Sequence, residues 1–201
     1  LTPFFFKLIG WGVPVTNWVK IDHVSTGVPL PYGIDITPDG KVWIVRLHTA
    51  EIASLDPATG EITMFATPLK NPRRLRTDRD GNLWIGMFSE SAVLRFEPKT
   101  AKFTTFHLPV QPAGSDTPYA LNVDRKRHQL WVNGTNSDGV HRLEIATGQW
   151  THFPLPRKAT FTRDVEFTPD GQVLLSSASF PSWHIEDALP TLIRLNPNAR
   201  K

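Results

Sequence analysis

The sequence predicts an all-β fold, a β-propeller of four-stranded antiparallel blades, and three observations carry that prediction. First, one phrase recurs four times: Pro31 to Trp43 (PYGIDITPDGKVW), Pro72 to Trp84 (PRRLRTDRDGNLW), Pro118 to Trp131 (PYALNVDRKRHQLW) and Thr162 to Leu174 (TRDVEFTPDGQVL). Second, its landmarks Trp43, Trp84, Trp131 and Leu174 stand 41, 47 and 43 residues apart. A period of that size marks stacked units, none of which buries its apolar face alone. Third, each unit consists of short runs of alternating apolar and polar residues divided by turn residues, the signature of half-buried strands. No stretch carries a long helical period.

The first unit sets the pattern. Gly33 to Thr37 alternates and reads as the inner strand. Pro38-Asp39-Gly40 is a tight turn, with aspartate bonding its own backbone and glycine suited to a positive φ. Val42 to Leu47 returns as the second strand, and Ile52 to Leu55 is the third. Asp56 to Gly60 turns the chain into a fourth strand, Glu61 to Ala66. That last phrase recurs from Glu97 to Thr104 and from Glu144 to Thr151. The blades are expected at 31–71, 72–117, 118–161 and 162–201, the last stopping after a third strand, Thr191 to Leu195. Residues 1–30 form an N-terminal segment in which Asn17 to Val24 reads as an outer blade strand. Either that strand completes the last blade and closes the ring, or the chain is part of a larger ring. The second is the expectation, since four-bladed closure is rare. An incomplete ring would expose strand edges and invite self-association.

Composition narrows the function classes. The 201 residues are 40% apolar, enough for one sizeable domain. The formal charge is +3, and the cations are interleaved with carboxylates, which argues against nucleic acid as a partner. No cysteine is present, so disulfides, thiolate metal sites and thiol nucleophiles are excluded. The apolar run from Phe4 to Val15 is too short to span a bilayer. It reads as a buried strand or linker, with the end of a signal sequence as the alternative. No phosphate-cradling glycine loop, zinc spacing or serine elbow is present.

The phrases P-x-G-I-x-x-x-P-D-G-x-x-W and A-x-L-D-P-A-T-G-E-I-T-x-F, quoted from Pro31 to Phe65, resemble the repeats of streptogramin B lyases, also called virginiamycin B lyases. The resemblance covers Pro31 to about Leu195. It implies a ring of seven-bladed type, elimination that opens a cyclic depsipeptide, a histidine base, and magnesium held by glutamates near the channel. The family's repeats commonly read Trp-Phe-Thr-Glu in the second strand. Here the fourth position of that motif holds Arg46, Met87, Gly134 and Ser177. The fold therefore carries over, and the family's metal ligands do not.

Candidate site residues follow from aligning the repeats. Tyr32, Arg73, Tyr119 and Arg163 share one position at the channel mouth, and Gly33, Arg74, Ala120 and Asp164 come next. Guanidinium groups bind oxyanions through paired bonds, and tyrosine adds a stacking face with a polar tip. A small or peptide-like ligand, anionic or aromatic, suits that set. The competing reading is internal pairing of Arg73 or Arg74 with Asp164 or a loop carboxylate. One step deeper lie Asp35, Arg76, Asn122 and Glu166, with Asp35 expected to pair with Arg76 of the next blade. Loops on the same face add Arg46, His48, Asn133, Asn136 and Trp183 as ligand contacts. His184 is the candidate general base, because histidine is the side chain whose unperturbed pKa lies near neutrality. Glu90, Asp138, Glu186 and Asp187 are the candidate metal ligands, with magnesium the implied ion. His107 and His152 read as surface residues of outer strands. The three recurring tryptophans read as packing between blades.

Two functions compete on this reading. One is a streptogramin-lyase-like propeller that binds its ligand at the channel mouth, with metal-assisted carbon–oxygen lyase activity. The other is a non-catalytic binding module of a larger extracytoplasmic protein. A periplasmic or secreted location is expected, with the cytoplasm as the alternative. A calcium hydrolase of gluconolactonase type would need more ligands than Glu166 and Asn133 provide.

Overall fold

A computed structural model describes residues 31–156, 160–177 and 191–199. Fifteen strands form four antiparallel sheets in plain up-and-down order. The first sheet holds β1 (Pro31–Ile36), β2 (Val42–Arg46), β3 (Glu51–Leu55) and β4 (Ile62–Ala66). The second holds β5 (Pro72–Thr77), β6 (Leu83–Met87), β7 (Ala92–Glu97) and β8 (Lys102–His107). The third holds β9 (Pro118–Asp124), β10 (Gln129–Gly134), β11 (Gly139–Glu144) and β12 (Gln149–Pro154). The fourth shows β13 (Thr162–Phe167), β14 (Val173–Ser177) and β15 (Leu192–Leu195). This is the blade array that the repeats predict. The inner strands touch in chain order, β1 to β5, β5 to β9 and β9 to β13. The expected strand at Asn17 to Val24 lies outside the described residues. No helix among the described residues is long and apolar enough to cross a membrane.

The core lies between blades, as the repeat argument requires. Trp43 packs with Leu75, Ile85 and Phe96 of the second blade. Trp84 packs with Leu121, Leu130 and Val132 of the third, and Trp131 with Val165, Val173 and Leu175 of the fourth. Each tryptophan also meets a phenylalanine on the outermost strand of its own blade: Phe65 at 5.5 Å, Phe106 at 5.3 Å and Phe153 at 5.3 Å. Truncating such a buried ring costs roughly 3–5 kcal/mol.

The indole N–H groups are treated unequally. Trp43 donates to Thr37 at 3.1 Å and Trp84 to Asp78 at 3.0 Å, in both cases six residues upstream in the hairpin turn. The third repeat is one residue longer at that turn. Its Asp124 binds Arg127 instead, and the buried Trp131 Nε1 finds no partner among the described residues.

The first blade has an uncovered side. Leu75, Leu121 and Val165 are fully buried or nearly so against the preceding blade, while their equivalent, Ile34, is 60% exposed. Among the described residues no blade covers β1 on that side.

One irregularity recurs and governs the site. In every blade the pairing of first and second strands slips, at Pro31 to Ile34, Pro72 to Leu75, Pro118 to Leu121 and Thr162 to Asp164. Three residues of the inner strand in the first three blades oppose two of its partner, and in the fourth two oppose one. This is a β-bulge, which bends the strand and re-aims its side chains. The bulge lies at the tyrosine and arginine positions singled out by the repeats. Gly33 is needed there: a Cβ would stand 2.8 Å from the Arg73 carbonyl and 2.9 Å from the Arg74 Cα.

The polar step below the bulge differs from expectation. Asp35 does not pair with Arg76. Its carboxylate accepts from the Thr77 backbone N–H at 2.8 Å and the Thr77 hydroxyl at 3.1 Å, with Arg125 of the third blade at 3.7 Å. Arg76 turns to the carbonyl of Leu75. Asn122 does the equivalent work between the third and fourth blades, donating to the Val165 carbonyl at 2.8 Å. Neighbouring inner strands belong to separate sheets. A short side chain reaching across satisfies a backbone group that no ladder serves.

Candidate functional site

The bulges bring Tyr32, Arg73, Tyr119 and Arg163 together at one end of the inner strands. The Tyr32 and Tyr119 hydroxyls are 2.8 Å apart although they come from the first and third blades. The Arg73 guanidinium lies 4.2 Å from the Tyr119 ring, 4.0 Å from Phe88 and 5.1 Å from Tyr32. Arg163 covers Tyr119 at 4.2 Å. Arg74, the second residue of its bulge, reaches Tyr119 at 5.6 Å and Tyr32 at 5.8 Å. A regular strand would send Arg73 and Arg74 to opposite faces. The bulge lets both face the tyrosines.

The charge balance of this cluster is one-sided. No carboxylate among the described residues forms an ion pair with Arg73, Arg74 or Arg163. Asp164, a mouth residue and the internal partner on the competing reading, accepts from its own neighbour's N–H, Val165, at 3.1 Å. The Nε atoms of Arg73 and Arg74 are buried without a hydrogen-bond partner among the described residues. Aromatic faces partly offset the clustered charge. Burial would push the Tyr119 hydroxyl up, but the Tyr32 hydrogen bond and the Arg73 and Arg163 charges outweigh it and lower it to about 8.

The loop residues expected at the mouth divide. Arg46 is paired with Glu51 inside its own hairpin, and His48 is exposed at the turn of that hairpin with φ of 65°. Asn133 is not a loop residue open to ligand. It is fully buried in β10, where its carbonyl accepts from the bulged Ala120 N–H at 2.5 Å. Its amide donates to the Thr162 carbonyl and to the Thr162 hydroxyl at 3.1 Å. Asn133 therefore plugs one bulge and clamps the third blade to the fourth. Asn136 folds back onto the chain entering β9, donating to the Thr117 hydroxyl at 2.8 Å. Trp183 and His184 lie outside the described residues.

The described residues of this face do not fit a divalent cation. At the positions where the family's repeats carry glutamate, Arg46 is a cation, Met87 is fully buried, Gly134 has no side chain and the Ser177 hydroxyl donates to the Thr160 carbonyl. Asp138 accepts from the Thr160 N–H at 2.7 Å and hydroxyl at 2.8 Å, joining the third blade to the fourth. Glu90 stands half-buried after β6. Glu186 and Asp187 lie outside the described residues. At the opposite end of the strands, ligand atoms of Asp78, Asp80 and His128 come within 4.8 Å of one another. There Asp78 already accepts from Asn82 and Trp84, and Arg79 lies 3.0 Å from His128 Nδ1. That grouping went unrecognised in the sequence, where its members sit in turns of two different repeats.

A second buried network also escaped the sequence reading. His141 is fully buried, with Nε2 3.1 Å from the Asp116 carboxylate and Nδ1 3.2 Å from Nδ1 of His152. Burial would raise the Asp116 carboxyl. Hydrogen bonds from His141, Ser137 and the Asn136 and Thr117 amides prevail and hold it at about 2. His152 is exposed, as expected, but its ring is engaged. Burial of the ring first, and then the neighbouring His141, lower its pKa, against the pull of Asp116. Gly134 makes room for the network, since a Cβ there would stand 2.1 Å from the Asp116 oxygen. The cross-strand pairing of His141 with His152 was legible from the hairpin register. Asp116 carried no such signal.

A propeller blade array with a cationic, tyrosine-lined mouth is the class of protein defined so far. The sequence pattern of the virginiamycin B lyase family matches residues 19–179, and the chain belongs to that family. No curated protein sequence matches it. Among solved structures, a catalytically inactive virginiamycin B lyase from Staphylococcus aureus with quinupristin superposes with a TM-score of 0.70 at 19% identity. That match covers 84% of this chain and 53% of the lyase, so the chain spans about half the length of that relative. Hydrazine synthase from Kuenenia stuttgartiensis gives 0.71 at 15% identity, over 90% of this chain and 49% of that one. The extracellular domain of a hybrid two component system from B. thetaiotaomicron gives 0.61 at 22% identity, over 76% and 20%. At these identities the structures share the fold.

Proposed function

We propose that this chain is a ligand-binding propeller of the virginiamycin B lyase family whose mouth takes a small or peptide-like anion. The observation that carries this reading is the gathering of Arg73, Arg74 and Arg163 around two tyrosines with no carboxylate among the described residues paired to them. Clustered guanidinium groups repel one another, and a carboxylate or other oxyanion placed among them would relieve that repulsion and fill their open donors. Tyrosine faces suit an aromatic or peptide-like body. The test is calorimetry of the full chain with acetate, sulfate and short acidic peptides, beside the Arg73→Gln/Arg163→Gln double variant. Binding by the parent chain and its loss in the variant are expected. A variant that binds as well as the parent would refute the assignment.

Lyase activity is the second reading, and family membership favours it. Quinupristin, found with the staphylococcal relative, is the compound to try, with magnesium present and chromatography to separate opened from cyclic forms. The absence of family glutamates from the second strands favours the competing non-catalytic module. Magnesium, manganese and calcium calorimetry discriminates between the two, since the metal-assisted lyase requires uptake. The likeness to an extracellular domain supports an extracytoplasmic location. The uncovered Ile34 face supports self-association, which sedimentation at increasing concentration would reveal.

A further inference from the structure

Tyr32 and Tyr119 are the two tyrosines of the chain, and they share one hydrogen bond at the centre of the arginine cluster. Two hydroxyls joined in this way use one O–H between them and leave the other to spare. Among the described residues every charged group facing Tyr119 is cationic: Arg73 and Arg74 from β5 and Arg163 from β13. Tyr32 faces it from β1, and Phe88, after β6, meets its ring edge-on at 6.1 Å. A phenolate at this place would have a donor in Tyr32 and two guanidinium groups at hand. It would satisfy the same groups that an incoming oxyanion needs.

We propose that the Tyr119 hydroxyl is the proton-linked switch of the mouth. With its proton on, the arginines accept an oxyanion ligand and the spare hydroxyl donates to it. With its proton off, the phenolate takes the ligand's place between Arg73 and Arg163 and the mouth no longer binds anions. This rests on the reading of the mouth as an anion site and adds its regulation. No bond other than O–H changes, and the proton passes to solvent. The lowering of Tyr119 to about 8 agrees with the geometry and places the transition just above neutrality. By linkage, a bound anion must in turn hold the proton on, shifting the titration upward.

The experiment follows tyrosinate absorbance of the full chain against pH, and then anion affinity by calorimetry at about pH 7 and about pH 9. Sulfate and acetate are the probes, since neither changes charge over that range. With two tyrosines in the chain, the absorbance reports on this site alone. One tyrosine is expected to titrate near 8, and saturating sulfate or acetate should move that step upward. Anion affinity should fall about tenfold between the two pH values, as one competing proton dictates. Tyr119→Phe keeps the ring and should bind with equal affinity at both. Tighter acetate binding would mark a carboxylate ligand and tighter sulfate binding a sulfate or phosphate ester, and either supports the switch. Two tyrosines titrating together near about 10 would overturn it. So would parent affinities that do not change with pH, a result that leaves the anion site standing. Failure of both anions to bind at about pH 7 would remove the anion site and the switch together.

Discussion

Replacing Asn133 with alanine separates a structural clamp from a ligand contact. The side chain is fully buried, and its amide serves three groups on two blades: the Ala120 N–H, the Thr162 carbonyl and the Thr162 hydroxyl. Alanine reproduces none of these bonds. The Ala120 N–H belongs to a bulge, so no ladder partner can replace Asn133. Each buried group left unsatisfied costs about 1–3 kcal/mol, and the hydroxyl can rotate toward another acceptor. Two orphaned backbone groups therefore predict a loss of about 2–6 kcal/mol, a large share of an ordinary domain's about 5–15 kcal/mol. Urea unfolding followed by tryptophan fluorescence measures it. Asn136→Ala is the control: its amide bonds a loop hydroxyl at the surface, and its loss should stay below about 1 kcal/mol. The reasoning is refuted if Asn133→Ala lies within about 0.5 kcal/mol of the parent, and more sharply if it also loses anion binding.

Two further perturbations test how the blades are held. Trp84→Phe removes one hydrogen bond to Asp78 Oδ2, which keeps the Asn82 amide as a donor, whereas Trp131→Phe removes an indole N–H that has no partner among the described residues, so the first should cost about 1 kcal/mol more in denaturant unfolding; equal losses would contradict the inequality. Asp116, lowered from its ordinary value of 3.8 to about 2, binds its proton more weakly folded than unfolded. Its contribution is present above about pH 4 and is lost as pH falls toward about 2. The lowered His152 has the same sign over a higher window, its contribution fading as pH drops below 6.5. Asp116→Asn should flatten the acid limb of a thermal-melting profile taken against pH, and an unchanged limb would remove the carboxylate from that role.

The sequence by itself determined the blades. Alternation, turn residues and the recurring tryptophan are local signals, and repetition four times over made each copy a check on the others. It also put Tyr32, Arg73, Tyr119 and Arg163 in one class, because equivalent positions in a circular array meet around one axis. What each polar side chain does was decided by tertiary structure. The bulge turned Arg73 and Arg74 to the same cluster, and a bulge depends on how two strands pair rather than on either alone. Asn133 looked like a loop ligand because its neighbours are polar, yet the open N–H it serves exists only once the strand has bulged. Asp35 found Thr77 and Arg125 in place of Arg76, because spacing between sheets sets which donor comes within reach. Asp116, His141 and Ser137 are brought together by a crossover between blades, a contact that no periodicity records. Strand patterns follow from the alternation of a single chain, while buried polar partners follow from which chains end up side by side.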